Sequence, residues 1–362
     1  MTSPAESDDR IDLLALAPDE LQHELARFFE ARGQKAFRAR QVARWIYEAG
    51  ALEFDEMTDL GAGLRELLSG AYRIGEPVAD TVSVSEDGTA KHLWRLRDGE
   101  LVESVLIPTA DRLTLCISSQ AGCAMGCTFC ATGWSGFRRH LTAGEIVGQY
   151  RASRRWAEAH DYGPITNIVY MGMGEPLANR EAVMRSLTIL NHGYGVGARR
   201  ITVSTVGVVP GIRELAARPE QFKLALSLHA PDEALRRELI PLEKRWPLPE
   251  LMKALEEFNA AGGRRITFEY TMIRGVNDAE ELAPRLAELA RHLRAFVNLI
   301  PFNPIPWQPD WGPSSPERIR HFARVLEAAG VDVAVREPRG RDIDAACGQL
   351  RANTLVQIAN ER

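Results

Sequence analysis

Between Pro18 and about Tyr72 apolar residues recur at helical spacing. "PDELQHELARFFEARG", "AFRARQVARWIYEAG" and "TDLGAGLRELLSG" each join an amphipathic repeat to a glycine, Gly33, Gly50 and Gly70, at which a helix is expected to stop. Residues 17–75 are therefore expected to form a small helical domain, and the polar, acidic residues 1–16 before it a disordered tail. The period then switches to two. "ADTVSVSEDGTAKHLWRLRDGELVESVLIP" alternates around Asp87-Gly88 and Asp98-Gly99, dipeptides that favour hairpins, so residues 76–111 predict a small β-hairpin bridge. From Arg112 onward the apolar runs "LTLCIS", "ITNIVYMG", "RITVST", "FKLALSLH", "ITFEYTMI" and "FVNLIPF" alternate with helical patterns. One of those helices opens with a capping box, Thr142-x-x-Glu145. The fold class is α/β. Six βα units over 112–338 predict a parallel, partly closed (β/α)6 barrel, followed by a C-terminal segment, 339–362. Active sites of such folds lie at the C-terminal ends of the strands, where "QAGCAMGC", "MGMGEP", "STVG", "SLHAP" and "PFNP" all fall.

Composition adds boundaries to this picture. With 45% hydrophobic and 26% charged residues the chain reads as an ordinary soluble protein, and no apolar run approaches the roughly 20 residues of a membrane span. The start is not a secretory signal, and an odd number of cysteines, five, argues for a reducing compartment, the cytoplasm. The net charge of −5 gives no global sign of nucleic-acid binding. Residues 31–48 depart from that average, with five basic side chains against one acid and Phe37, Trp45 and Tyr47 interleaved. Cations plus stacking surfaces suit a nucleic-acid backbone; a solvated helix with aromatics turned into a core is the plainer reading of this stretch alone.

Three cysteines, Cys123, Cys127 and Cys130, follow the first barrel strand in a tight glycine-containing loop. A tetrahedral zinc site would take a fourth ligand nearby; His140, flanked by arginines, is the nearest candidate. An iron–sulfur cube tolerates three protein ligands when something else binds the fourth iron. S-adenosylmethionine can be that ligand, through its amino and carboxylate groups. The loop "MGMGEP" is no dinucleotide fingerprint, because the third glycine is missing, and alone it would be a strand-end turn.

The cysteine spacing and its place after the first strand resemble the radical S-adenosylmethionine superfamily. That resemblance implies one 4Fe–4S cluster held by Cys123, Cys127 and Cys130, with Gly174, Glu175, Ser204, the run Ser227-Leu228-His229 and Asn303 as contacts of S-adenosylmethionine. "TLCISSQAGC", "GYGVGARRITVSTVGVVP", "ALSLHAP" and "RGRDIDAACGQL" further resemble the RNA methyltransferases that modify carbon-2 of adenosine, from about Pro18 to Gln357. Trp134 and the "FRRH" after it look less typical of that family. The resemblance implies two molecules of S-adenosylmethionine per turnover, with Cys347 as methyl carrier, Cys116 as the resolving thiol and Glu103 as proton acceptor. A methyl parked on Cys347 becomes a radical that adds to the ring, and Cys116 then releases the RNA by forming a disulfide. Implied partners are 23S ribosomal RNA, transfer RNA and an external electron donor such as flavodoxin, acting on a monomer. The basic segment 31–48 then reads as an RNA contact, with the pairs Arg199-Arg200, Arg236-Arg237 and Arg264-Arg265 as further candidates. Rival readings are a sister enzyme methylating carbon-8 of the same adenosine, an activase making a protein radical, and a zinc-stapled RNA-binding module without catalysis.

Overall fold

The computed structural model describes residues 8–262 and 265–350; the expected tail at 1–7, Arg264 and positions 351–362 lie outside the described residues. The N-terminal helices form where their apolar stripes predict: α1 (Pro18–Glu30), α2 (Arg38–Arg44), continued by one wide turn over Trp45–Ala49, and α3 (Ala62–Ala71). Leu21, Leu25, Phe28, Phe29, Val42, Ile46, Phe54, Leu68 and Tyr72 fill a core of their own. Gly33 and Gly50 take the left-handed conformation at the ends of their helices, and Gln34 N–H returns to Phe29 O at 2.9 Å. Gly70 does not act as a stop: α3 runs through it to Ala71. Residues 8–16 are not a free tail. Ile11–Asp12 pairs with Tyr72–Arg73, Leu13 and Leu14 are buried in the helical core, and the Asp12 carboxylate accepts from Leu14 N–H and Gly75 N–H at 3.0 Å each. Leu13 and Leu14, with Leu16 packed beside them, dock the segment.

Ten strands form one sheet whose spatial order follows the chain: β1 (Val78–Val84), β2 (Ala90–Arg95), β3 (Leu101–Thr109), β4 (Arg112–Cys116), β5 (Asn167–Tyr170), β6 (Ile201–Thr205), β7 (Lys223–Ser227), β8 (Thr267–Met272), β9 (Phe296–Pro301) and β10 (Val333–Val335). The pairs from β1 to β4 are antiparallel and those from β4 to β10 parallel. The six apolar runs are β4 to β9, the six parallel strands expected of the partly closed barrel, and β10 adds three residues. The hairpins are no separate bridge, because β3 pairs with β4 through the tight Ala110-Asp111 turn and Trp94, Val102 and Val105 enter the main core. Both predicted Asp-Gly turns form, with Gly88 and Gly99 at positive φ. The crossover helices are α4 (Ala143–Ala159), α5 (Arg180–Thr188), α6 (Val209–Ala216), α7 (Glu233–Leu239), α8 (Leu248–Gly262), α9 (Leu282–His292) and α10 (Pro316–Ala328). The capping box holds: Glu145 N–H donates to Thr142 Oγ1 at 3.1 Å and Thr142 N–H to Glu145 Oε2 at 2.9 Å. No helix among the described residues is long and apolar enough to cross a membrane.

Two attachments position the site. Arg151 of α4, buried, donates to Ile46 O at 2.8 Å and Ala51 O at 2.6 Å, and pairs with Glu76 at 3.0 Å, which fastens the helical unit to the sheet. The C-terminal segment runs back across the hairpins. Gly340 N–H donates to Asp87 Oδ2 at 3.1 Å, Ser85 Oγ to Asp342 Oδ1 at 2.6 Å and Lys91 Nζ to Asp344 O at 3.3 Å.

Candidate active site

The chain leaves β4 at Cys116 and passes through Gln120–Gly122, which pairs with Phe137–His140, before entering the cysteine loop. Gly122 has φ +77° and a Cβ there would lie 1.9 Å from Gly136 O, so only glycine lets the two backbones meet. Thr128 N–H donates to Leu239 O at 3.0 Å and Ala131 N–H to Gly348 O at 2.7 Å, tying the loop to the end of α7 and to the C-terminal segment.

Cys123, Cys127 and Cys130 all line one cleft, whose empty space, mouth included, is about 1430 Å³. Burial pushes the Cys123 thiol up to about 12 and that of Cys127 well above its ordinary value, and the neighbouring thiols add to both shifts. Cys123 and Cys127, so buried, become thiolates only against a positive partner, which iron supplies. Among the described residues no three His, Cys, Asp or Glu side chains converge on one point, as a single ion requires. A cube puts each thiolate on a different iron and needs no such convergence. The donor set therefore fits a cluster better than zinc.

Glu175 and Gly174 form the next part of the wall. Glu175 is buried and pushed up to about 7 by that burial; it accepts from Val206 N–H at 2.9 Å and Leu177 N–H at 3.0 Å, while its own N–H donates to Gln120 Oε1 at 2.8 Å. Gly174 has φ +99°, and a Cβ would sit 2.5 Å from Gln120 Cβ. Ser204 and Ser227, at the ends of β6 and β7, also face the cleft. Leu228 does not: its side chain is wholly buried, and only its backbone, bonded to Glu269 O at 3.1 Å, stands near the site. His229 lines the cleft in the left-handed conformation, φ 57°, with its ring against Phe129 at 4.3 Å. Its Nδ1 accepts from Thr271 N–H at 2.9 Å, and burial, with Arg236 adding, pulls its pKa down to about 3. The imidazole is thus neutral, with its proton on Nε2.

Asn303 lines the cleft, but its amide is already engaged: Nδ2 donates to Cys347 O at 3.2 Å and Oδ1 accepts from Arg341 Nε at 3.1 Å. Cys347 opens onto the cleft from the C-terminal segment. Burial among protein groups raises its thiol pKa, Arg336 opposes the shift, and Glu269 and Cys130 add to it. Cys116 lies behind the cleft wall, buried, with its thiol pushed up to about 12 by burial first and by the nearness of Cys347 second. Glu103 is also behind the wall, ion-paired with Lys91 at 3.3 Å. Because Val105 pairs with Cys116 and strands alternate faces, Glu103 shares the face of Cys116 and is its diagonal neighbour.

Several residues here escaped the sequence reading. Gln120 links the Glu175 backbone to His140 Nδ1 at 3.0 Å. Glu269, buried on β8 and accepting from Asn298 Nδ2 at 2.9 Å, and Arg336, after β10, both face the cleft beside Cys347. A carboxylate in the otherwise apolar run "ITFEYTMI" was a legible signal for Glu269. One proposed RNA contact is ruled out: Arg236 is fully buried, paired with Glu243 and donating to Val206 O, so only Arg237 of that pair is exposed. Arg199, Arg200 and Arg265 are exposed. In the basic segment, Phe37 and Arg40 face solvent, but Trp45 donates to Asp59 at 2.6 Å and Tyr47 packs edge-on against Tyr194 at 5.1 Å.

Comparison with known proteins accounts for both parts of this architecture. Residues 11–74 match the N-terminal domain of the ribosomal RNA large subunit methyltransferases, and residues 117–286 match the radical SAM superfamily. Crystallographically, the chain resembles a radical SAM methyltransferase from Sphaerobacter thermophilus, at TM-score 0.89 and 48% identity over 94% of this chain and 99% of that one. It is 51% identical to the probable dual-specificity RNA methyltransferase RlmN of Gemmatimonas aurantiaca, over 95% of this chain and 94% of the relative. Its identity to the dual-specificity RNA methyltransferase RlmN of Marinomonas sp. is 46%, over 94% of this chain and 93% of the relative. With this likeness running through the helical unit, the sheet and the cysteine loop alike, the chain belongs to the RlmN family of radical SAM methyltransferases.

Proposed function

We propose that this chain methylates carbon-2 of adenosine in 23S ribosomal RNA and in transfer RNA, using Cys347 as the methyl carrier and Cys116 as the resolving thiol. The observation that carries the reading is the grouping of the five cysteines: three line a cleft, Cys347 opens into the same cleft, and Cys116 stands behind Cys347 near enough to feel its charge. Cys123, Cys127 and Cys130 would hold the 4Fe–4S cluster. The cluster, when bound, supplies the electron that cleaves S-adenosylmethionine to methionine and a 5′-deoxyadenosyl radical. Glu175 and the Gly174 backbone offer the methionine ammonium group an acceptor, and Ser204, Ser227 and Asn303 line the rest of the wall.

Adenine carbon-2 is electron-poor, so it does not attack a sulfonium methyl as an amine nitrogen would. Cys347 takes that methyl by displacement as a thioether. After loss of one hydrogen atom to the adenosyl radical, its methylene joins carbon-2. Glu103 accepts the ring proton. Cys116 then attacks the Cys347 sulfur, which breaks the sulfur–methylene bond and forms the disulfide; the released methylene takes a proton to become the methyl on RNA, and the single electron left over from the radical addition would return to the oxidised cluster. An external donor, of the flavodoxin kind, supplies the cluster electron.

The test is a denaturing gel with labelled RNA and anaerobically reconstituted protein. Cys116→Ala is expected to stop as a covalent protein–RNA adduct resistant to thiol reductant, because a thioether does not break spontaneously. Cys347→Ala is expected to form none. An adduct with Cys347→Ala, or none with iron-loaded Cys116→Ala, overturns the assignment. Mass spectrometry of the wild-type product locates the methyl, and a methyl on carbon-8 overturns the carbon-2 reading.

A further inference from the structure

One exposed surface takes no part in these steps. Directly after Cys130, the turn Ala131–Trp134 and the strand Phe137–His140 carry two large apolar rings at the surface: Trp134 is 46% exposed and Phe137 41%. Neither ring belongs to a hydrophobic core, yet both are held in place. Trp134 Nε1–H donates to Thr128 O, in the cysteine loop, at 3.1 Å, and Phe137 meets His140 edge-on at 5.2 Å. The cations beside them differ in their commitments. Arg139 is engaged by Asp98 at 2.5 Å and Glu145 at 2.8 Å, whereas Arg138 is exposed and has no ion-pair partner among the described residues. Thr132 and Gly133, just before Trp134, line the cleft, so these rings adjoin its wall.

Because Cys347 lines the cleft, a target base must enter the cleft to meet its thiol. A base reacting with a thiol inside the cleft must leave its stack, and extrusion strips its neighbours of a stacking partner at the mouth. Aromatic side chains replace such partners with little regard to sequence, and a cation beside them meets the phosphate. We propose that Trp134 and Phe137 form a stacking platform for the nucleotides flanking the target adenosine, with Arg138 on the adjoining phosphate. This rests on the reading of the chain as an RNA-modifying enzyme. The platform is also tied to the cofactor wall, since His140 of the same strand contacts Gln120, whose Oε1 accepts the Glu175 N–H.

The experiment uses the full chain with its cluster reconstituted and a labelled RNA hairpin containing the target adenosine, measuring equilibrium affinity across salt concentrations. Stacking of one base is worth about 1–3 kcal/mol, so Trp134→Leu is expected to weaken binding about five- to 150-fold. Trp134→Phe keeps a ring plane and is expected to recover most of that loss. Arg138→Gln should lower the slope of log affinity against log salt by roughly 0.7, the value for one contact to a single strand. Iron content, measured on every variant, reports whether the cysteine loop survives the loss of the indole bond. Equal loss in the Phe and Leu variants with iron retained overturns stacking, as does wild-type affinity in Trp134→Leu. Slower cluster reduction by flavodoxin with unchanged RNA affinity would assign the surface to the electron donor and likewise overturn the proposal. If wild-type protein binds no RNA at all, the broader functional reading fails instead.

Discussion

Arg151→Met tests how the helical unit is held against the sheet. In the folded protein the Arg151 guanidinium is buried among Ile46 O, Ala51 O, Tyr194 Oη at 3.2 Å and the Glu76 carboxylate. Methionine fills much of the same volume but donates nothing. Removing one partner of a buried ion pair costs about 3–5 kcal/mol, because the other groups stay buried without their donor. Arg155 softens the loss, since it pairs with Glu76 at 2.8 Å, which places the expectation near the lower end, about 3 kcal/mol. The two carbonyls belong to the turn after α2 and to the residue following Gly50, so the penalty falls on the docking of the helical unit. About 3 kcal/mol is roughly a hundredfold rise in the open population, at 1.4 kcal/mol per factor of ten. Limited proteolysis under native conditions reads that population directly when reclosing is fast. Cleavage within residues 11–74 should accelerate about a hundredfold while the sheet stays resistant. Unchanged cleavage kinetics would refute the view that Arg151 is the fastening.

Gly174→Ala forces a Cβ onto Gln120 at positive φ and so disturbs the Glu175 backbone; S-adenosylmethionine affinity, measured by equilibrium dialysis, should drop at least about tenfold given roughly 1–2 kcal/mol of left-handed strain plus the clash. His92 is fully buried between Trp94 and Trp156, neither ring nitrogen has a hydrogen-bond partner among the described residues, and burial lowers its pKa to about 4. The unfolded chain takes up this proton near pH 6.5, so stability should be lost as pH falls from there towards 4, by up to about 3 kcal/mol. His92→Leu should flatten that part of the melting-temperature profile, and an unchanged profile counts against the assignment. Glu243→Gln leaves Arg236 buried without its counter-charge, and a melting temperature within a degree of wild type would contradict a cost of about 3 kcal/mol or more.

The parts of this fold that repeat were legible in the sequence. Six apolar runs, two Asp-Gly turns and the Thr142 cap each carry a local signal that survives without knowledge of the tertiary structure. What was not legible depended on pairing between distant segments. The β3–β4 turn, Ala110-Asp111, lacks a glycine, so nothing local joined the hairpins to the main sheet. Val333–Val335 is too short to show a period, and the run Ile11–Leu16, with Asp12 inside it, is too short to declare where it docks. At the site, the cysteine loop and the strand-end residues were visible as types at known places. Arg236 looked like its exposed neighbour Arg237 because only the buried Glu243 tells them apart.

The two thiols outside the loop are held in opposite ways, and this fixes which of them travels. Cys116 is on β4, paired with Val105 on one side and Val169 on the other, and buried in the main core. Moving it means breaking ladders in the centre of a ten-stranded sheet. Cys347 belongs to a segment without strand pairing among the described residues, packed on the main core through Ala345 and Leu350 and held by single bonds such as Ala131 N–H to Gly348 O, Asn303 Nδ2 to Cys347 O and Gln349 Nε2 to Pro304 O. Each is worth on the order of 1 kcal/mol net, so a shift of the segment is a small cost where a shift of the strand is a large one. In the function proposed above, Cys347 meets a sulfonium methyl, then a base, then a second thiol, which requires it to be the mobile partner. Hydrogen exchange should therefore show amides of 341–349 opening orders of magnitude faster than those of 113–116 in the reduced protein. Formation of the Cys116–Cys347 disulfide should slow the first set and leave the second unchanged. Faster exchange on β4 after oxidation would mean that Cys116 is the thiol that moves.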